Sequence, residues 1–364
     1  MADSEITQDS AGLFASANYK ITPELLLSVS GRFSYDRKTL VLATTDRDVY
    51  RGRIGTGATL RIVRNPNFGK VFIRSDREDD YTFFDPSVTL SYDMGDHFLY
   101  GSIATGHRTG GFNRFPGVRT DPATGVVNLP VPTEFGSETA VSYEIGSKGK
   151  LNFWSVNLNY AIDVFKTEYS DLLENRSVFG GPEDVSTGGN DFLANASATI
   201  NIGDAYVRGV ELDFNGRVRD LPIGGWLGYQ GGATYLESKI TSGEDKGTRA
   251  SFVPRWTIKG SLTYRRPITR TLGIVANTNH SYEEGAREQS GGRFKPINIT
   301  SARLGFEGRQ RNGDAWSLVA FANNLFDVTY QISRSAVPTG FPSETINTPF
   351  SLGVRLTLGG TLKD

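Results

Sequence analysis

The chain has no cysteine. That excludes a disulfide framework and any thiolate-ligated metal. Histidine is scarce too. His97 falls in a short turn, His107 at a strand end beside Arg108, and His280 inside a strand; no two have the spacing of a metal-ligand pair. A formal net charge of −1 gives no basic excess of the kind nucleic-acid phosphates require, so no nucleic-acid partner is expected. No apolar run approaches the roughly 18 residues of a membrane helix. There is no glycine-rich phosphate cradle between a strand and a helix, and no nucleophile–base constellation, so enzyme activity and a bound cofactor have no support. The opening MADSEITQDS has neither the basic nor the apolar part of a secretory signal. Residues 1–10 therefore read as an extension that starts within something larger, ahead of a folded unit over 11–364.

What the chain does have is alternation, together with 42 glycines, 22 phenylalanines and 15 tyrosines in 364 residues. Trp154, Val156, Leu158, Tyr160, Ile162 and Val164 alternate with Ser155, Asn157, Asn159 and Asp163. Trp256, Ile258, Gly260, Leu262 and Tyr264 alternate with Thr257, Lys259, Ser261, Thr263 and Arg265. Leu25 to Asp36 and Phe350 to Leu358 do the same. A period of two puts each apolar set on one face of a strand. About thirteen strands follow from this pattern: 11–20, 24–37, 80–92, 97–108, 137–149, 152–169, 195–218, 223–240, 251–265, 270–284, 295–309, 313–331 and 346–358. Phase slips near 206–209 and 319–323 predict bulges.

The connections sort by length. Short ones, near 20–23, 93–96, 150–151, 219–222, 266–269 and 310–312, alternate with long ones. Several strands exceed the usual length of globular strands. Tyr92, Trp154, Phe214, Tyr264 and Trp316 sit near the short-turn ends, where an interfacial girdle places aromatics. Alternation by itself fits a soluble β-sandwich or a membrane barrel. Loop sorting and strand length favour an antiparallel up-and-down transmembrane β-barrel, because a sandwich has no reason to segregate its loops.

Several segments carry a family pattern. Ser91–Asn113 reads SYDMGDHFLYGSIATGHRTGGFN. Its Leu99, Tyr100, Thr105, Gly106, Arg108, Gly110, Gly111, Phe112 and Asn113 resemble a strand of the TonB-dependent outer-membrane receptors. Gly31–Lys38, Ser142–Lys148 (SYEIGSK), Asn201–Ala205 with Gly209–Leu212, Pro254-Arg255, and Asn324–Asp327 with Tyr330 are similar to further family segments, in the family's order. The resemblance implies a 22-stranded barrel around an N-terminal plug, in the outer membrane. It implies uptake of a ferric siderophore or similar large nutrient, energised by the TonB complex through the plug. The thirteen strands would be the last thirteen of that barrel, leaving the signal peptide, the TonB-contacting segment, the plug and about nine strands outside this chain. Leu358 would take the place of the family's final aromatic, which puts efficient membrane insertion in question. A passive pore or non-transporting truncated barrel is the competing function, and a soluble structural or adhesive β protein is a third.

The candidate ligand-binding residues are Arg108, Asn113, Arg114 and Arg119, with Arg51 and Arg53 from a second long loop. Arginine recognises carboxylate- or catecholate-like oxygens with several donors. The bland reading is that these charges keep outer loops wet or meet lipopolysaccharide phosphates. Glu144, Glu211 and Asp213 face the lumen, where they serve either as hydrogen-bond partners of a plug or as solvated wall groups. Outer-membrane lipid is the expected surroundings of the apolar face.

Overall fold

The computed structural model describes residues 2–45, 50–53, 60–63, 71–113, 119–120, 127–128, 134–178, 196–287, 293–310, 313–335 and 343–359. Thirteen long strands form one antiparallel sheet in which each pairs with its sequence neighbour. They are β1 (Ala2–Lys20), β2 (Leu25–Thr45), β3 (Val71–Asp93), β4 (His97–Arg108), β5 (Glu138–Phe153), β6 (Val156–Ser170), β7 (Ala205–Val218), β8 (Trp226–Ile240), β9 (Trp256–Pro267), β10 (Leu272–Glu283), β11 (Ile297–Arg309), β12 (Ala315–Asn323) and β13 (Ser351–Leu358). Short two-stranded hairpins such as Tyr50–Arg53 with Leu60–Val63 and Leu173–Val178 with Ala196–Asn201 decorate the long-loop end.

Every expected strand is present, and the differences lie at the ends. β1 begins at Ala2, so residues 2–10 continue the first strand rather than forming an extension; Ala2 to Lys20 pair without a break against Thr44 to Leu26. β2 and β3 run well past the expected loop boundaries at 38 and 79. The expected bulges are not there. Pairing of β7 is continuous on both sides, as is that of β12. The chain leaves the strand instead at Gly203, which takes φ +106°, and at Asn324 and Asp327, which take φ 48° and 50°. The phase slips in the sequence thus mark strand ends with left-handed backbone.

The apolar face decides between sandwich and barrel. Leu352 is 72% exposed and Val354 71%, and Ile145, Phe84 and Leu304 are exposed on other strands. No second layer covers this face among the described residues. In water such a surface would be an aggregation site; against hydrocarbon it is the expected outer wall. The buried apolar side chains gather at the long-loop end, where Ile202, Ala205 and Ile240 pack with Tyr169, Leu172 and Ile200.

The ladder order fixes one further property. Thirteen antiparallel strands is an odd number, so β1 and β13 run in the same direction. Each has one partner among the described residues. An exposed edge in hydrocarbon leaves backbone groups that cost several kcal/mol apiece. Joining the two edges directly would make a parallel seam, whereas any odd number of further strands closes the ladder antiparallel.

Candidate functional site at the loop-side mouth

The Gly-rich run after β4 forms a clasp. Arg108 ends β4 opposite Glu138, which opens β5. The Glu138 carboxylate is 5% exposed and accepts a 2.6 Å hydrogen bond from the Leu173 backbone N–H. Arg108 Nη1 donates to the same oxygen and to the Leu173 carbonyl, both at 3.3 Å. Gly111-Phe112 pairs with Glu134-Phe135. Asn113 then imitates a strand residue: its Nδ2 donates to the Thr199 carbonyl at 2.9 Å, and its Oδ1 accepts from the Thr199 N–H at 2.8 Å. Gly110 is required by close approach, since a Cβ there would lie 2.6 Å from the Phe135 carbonyl oxygen and 2.8 Å from the Tyr81 ring.

Lys38 and Tyr81 complete the wall beside this clasp. Lys38 Nζ donates to Thr109 Oγ1 and to the Gly110 carbonyl, both at 2.7 Å, and lies 5.8 Å from the Tyr81 ring centroid. Counted from the short turns, a span of about 10 residues per strand crosses the bilayer, so both groups sit beyond it. Burial lowers the Lys38 pKa, and burial with help from Asp79 pushes the Tyr81 hydroxyl up to about 12. The folded protein therefore holds the Tyr81 proton more tightly than the unfolded chain, whose tyrosines titrate near 10.0. That contribution to stability is intact below pH 10 and is lost as pH rises toward 12. Ultraviolet titration of the protein against Tyr81→Phe checks it: the difference curve should show one tyrosine ionising late, and a midpoint near 10 refutes the assignment.

Deeper in the lumen, four carboxylates share one stretch of wall. Cross-strand pairing puts Asp163 opposite Glu211, and Glu144 and Asp213 flank them on the same face. Tyr100 binds this group by donating to Glu144 Oε1 at 2.5 Å. Its ring lies over Gly146, its cross-strand partner, where a Cβ would be 2.6 Å away. The glycine of SYEIG thus makes room for the tyrosine of LY, in the manner of an aromatic covering a strand glycine. Toward the short-turn end the wall turns basic. The Trp226 ring lies between Arg217, with Cζ 4.0 Å from the ring centroid, and Arg265 at 5.7 Å; Arg265 also pairs with Glu307 at 3.3 Å.

The structure brings Glu144, Glu211 and Asp213 together, as their shared face implies. It joins Arg108 and Asn113 to one clasp, with the Arg108 side chain still 59% exposed toward the lumen mouth. Arg114 lies outside the described residues, as do the side chains of Arg51, Arg53 and Arg119. Sequence reasoning missed Glu138, Lys38, Tyr81 and Asp163 as members of these clusters. A face-by-face reading of the alternation flags Asp163, whereas the other three depend on pairing across long loops. His97, His107 and His280 stay apart: His107 pairs with Asp85 at 2.6 Å and stacks on Phe83, and no group of metal-ligating side chains gathers among the described residues.

Comparison with known proteins agrees with this construction. The family model for the TonB-dependent receptor-like β-barrel matches residues 1–342. The ferric-pyoverdine M114 receptor PbuA of Pseudomonas sp. (strain M114) is 27% identical over 207 residues, covering 52% of this chain and 21% of that protein. The ferric yersiniabactin uptake receptor FyuA of Yersinia pestis superposes with a TM-score of 0.68 at 16% identity, over 97% of this chain and 46% of that one. The ferric-catecholate import receptor Fiu of E. coli K12, in its closed form, gives 0.62 at 16% identity, over 98% and 45%. The chain thus spans a little under half the length of these two structures. With a matching family model over nearly its whole length, an outward apolar face and a polar lumen, the chain belongs to the TonB-dependent receptor β-barrel family, whose members are outer-membrane receptors and transporters of Gram-negative bacteria rather than enzymes.

Proposed function

We propose that this chain is the C-terminal barrel portion of an outer-membrane receptor for uptake of a ferric siderophore or similar large chelate. In the complete protein, uptake is energised through TonB acting on a plug. The observation that carries this reading is the family match over residues 1–342, joined to a wall of thirteen strands with two like-directed edges. About nine more strands, the odd number that makes a 22-stranded barrel, complete the ladder antiparallel. Arg108 at the loop-side mouth presents guanidinium donors to an anionic chelate, helped by Arg114, Arg119, Arg51 and Arg53 of the long connections, while Asn113, expected as a further contact, is buried with its amide bonded to Thr199 and holds the clasp instead. The acidic group of Glu144, Asp163, Glu211 and Asp213 offers acceptors to arginines of a plug.

The test is uptake of radiolabelled iron by an iron-starved strain lacking its own siderophore receptors. This chain alone is expected to support none. The chain joined in frame to a plug-bearing N-terminal half is expected to support uptake that disappears in a TonB-deficient host. Uptake by the chain alone overturns the need for a plug. Steady single-channel current from the chain in planar bilayers, with no uptake by the joined form, assigns a passive pore instead.

A further inference from the structure

The lumen wall is divided by charge. Its four clustered carboxylates lie on β5 to β7. From β8 onward the lumen face of the strands carries Lys259, Arg265, Arg303 and Arg355, with Arg309 at the short-turn rim. Against them stand two carboxylates, Glu283 at the loop end of β10 and Glu307, which Arg265 already holds. Register orders most of these groups into two adjacent rows. One runs Arg217, Gly228, Thr263, Asn277, Arg303 and Phe321. The other, one side chain nearer the short turns, runs Trp226, Arg265, Val275, Gly305, Val319 and Arg355.

The rows bring two arginines to an aromatic ring twice over. Trp226 has Arg217 Cζ 4.0 Å and Arg265 Cζ 5.7 Å from its ring centroid. Phe321 is the cross-strand partner of Arg303, and Arg355 Cζ lies 5.6 Å from its centroid. A Cβ at Gly353 would be 2.5 Å from the Phe321 ring, so that ring leans over β13, the strand of Arg355. A guanidinium on a ring keeps its N–H edge free for oxygen anions. Arg217, Arg303 and Arg355 have no carboxylate within ion-pair reach among the described residues. Beside Trp226 lies an open cavity of about 690 Å³, lined by Arg217, Arg219, Arg265 and the amides of Asn159 and Asn215. That volume falls within the roughly 300–1,000 Å³ of small-molecule sites. Between the two groups the wall is neutral and tied to itself, with Asn277 donating to Thr263 at 2.9 Å and accepting from Asn279 at 2.8 Å. Arg217 and Arg303 stand four strands apart in one row, about 19 Å at the usual strand spacing of about 4.8 Å. Arg217 is at the short-turn end of β7 and Arg303 is mid-strand in β11, so the Phe321 group is the nearer to the mouth.

We infer that Arg303–Phe321–Arg355 and Arg217–Trp226–Arg265 are successive lumen stations for a chelate of net negative charge, which crosses along the arginine rows and not over the carboxylates of β5 to β7. Ionisable groups that face a water-filled cavity at membrane depth mark ligand paths, and lumen arginines select anions. The carboxylate side repels the same ligand, which leaves that side for contacts other than the path. The role in transport rests on the receptor reading above and assigns its substrate a charge; anion binding at the stations needs neither plug nor TonB.

The full chain in maltoside micelles, with strand content checked by circular dichroism, is titrated with two probes: the trianionic ferric complex of a synthetic tricatecholamide and the neutral ferric complex of a synthetic trihydroxamate. Quenching of tryptophan emission that Trp226→Phe removes reports the Trp226 station. The trianionic complex is expected to bind there about tenfold or more tightly than the neutral one, as charge-assisted hydrogen bonds require. Arg217→Gln with Arg265→Gln should erase that preference with the circular dichroism unchanged. Equal affinity for the two complexes, or a preference that survives the double variant, overturns the inference. In the joined, plug-bearing form, Arg303→Gln with Arg355→Gln should slow uptake of iron from the tricatecholamide about tenfold. Surface-bound chelate in a TonB-deficient host should stay within about twofold, and Arg303→Lys with Arg355→Lys should recover most of the rate. An unchanged rate in the glutamine variant overturns the path. If the parent joined form takes up no iron, the receptor reading fails, and the micelle titration still decides the stations.

Discussion

Glu138→Ala is expected to destabilise the loop-side mouth by about 1.5–3 kcal/mol, the usual worth of a hydrogen bond to a charged group. Glu138 is 5% exposed, and its carboxylate is the acceptor for the Leu173 N–H at 2.6 Å. Removing it leaves the Leu173 N–H, in a buried residue, without that acceptor. The Arg108 pair adds little to the figure, because the arginine is 59% exposed and hydrates when released. Glu138→Gln retains an acceptor for Leu173 and should recover most of the loss. The measurement is a heat-modifiability or thermal melt in micelles for the three proteins. A melt for Glu138→Ala indistinguishable from the parent would remove the clasp as a source of stability. In the joined, plug-bearing form the same variant should also weaken chelate binding, since Arg108 loses the carboxylate that holds it beside Leu173.

Asn324→Ala is the second large effect. The NLFD run ends β12 with Asn324 at φ 48°, in the left-handed region that asparagine tolerates better than alanine. Its side chain is 4% exposed and makes three bonds: Nδ2 to the Val328 carbonyl at 3.0 Å and to the Thr348 carbonyl at 3.2 Å, and Oδ1 from the Val328 N–H at 2.9 Å. Asn347 repeats the device, accepting from the Tyr330 N–H at 2.8 Å and donating to the same two carbonyls. Asp327 accepts from Phe350 N–H at 2.9 Å. Together these tie the exit of β12 to the approach to β13. Alanine loses the bonds and adds backbone strain of about 1–3 kcal/mol. Asn324→Gly loses the bonds without the strain and should fall between parent and alanine. Melts of the three proteins, with protease sensitivity of the 328–347 connection, check the order. Equal loss for alanine and glycine would locate the whole effect in the hydrogen bonds.

Asn324, and the Arg108 that pairs with Glu138, lie in motifs that first suggest ligand contact or a family tag. In the structure Gly110 lets the Phe135 backbone approach, Asn113 replaces a strand pairing, and Asn324 turns a corner. Motif residues at the mouth are thus largely structural, and the exposed part of Arg108 is what remains for a ligand. The lumen carboxylates were legible because Glu144, Glu211 and Asp213 fall on the polar side of strands whose period is plain. Glu138 was not legible, because its partner Leu173 lies beyond an entire hairpin in sequence and meets it through a single backbone donor.

The sequence by itself determined the thirteen strands, the face each side chain takes, the sorting of short turns from long connections and the family to which they belong. Those properties are local: a period of two and turn chemistry need only a few neighbouring residues. The tertiary structure alone decided which side chains share a row across the sheet. Register between strands joined by long connections is set by the whole ladder and not by any segment of it. So Lys166 beside Arg208, Tyr100 over Gly146 and Glu138 under Leu173 appear only once the strands are paired, because a shift of one residue would turn each of those side chains to the opposite face.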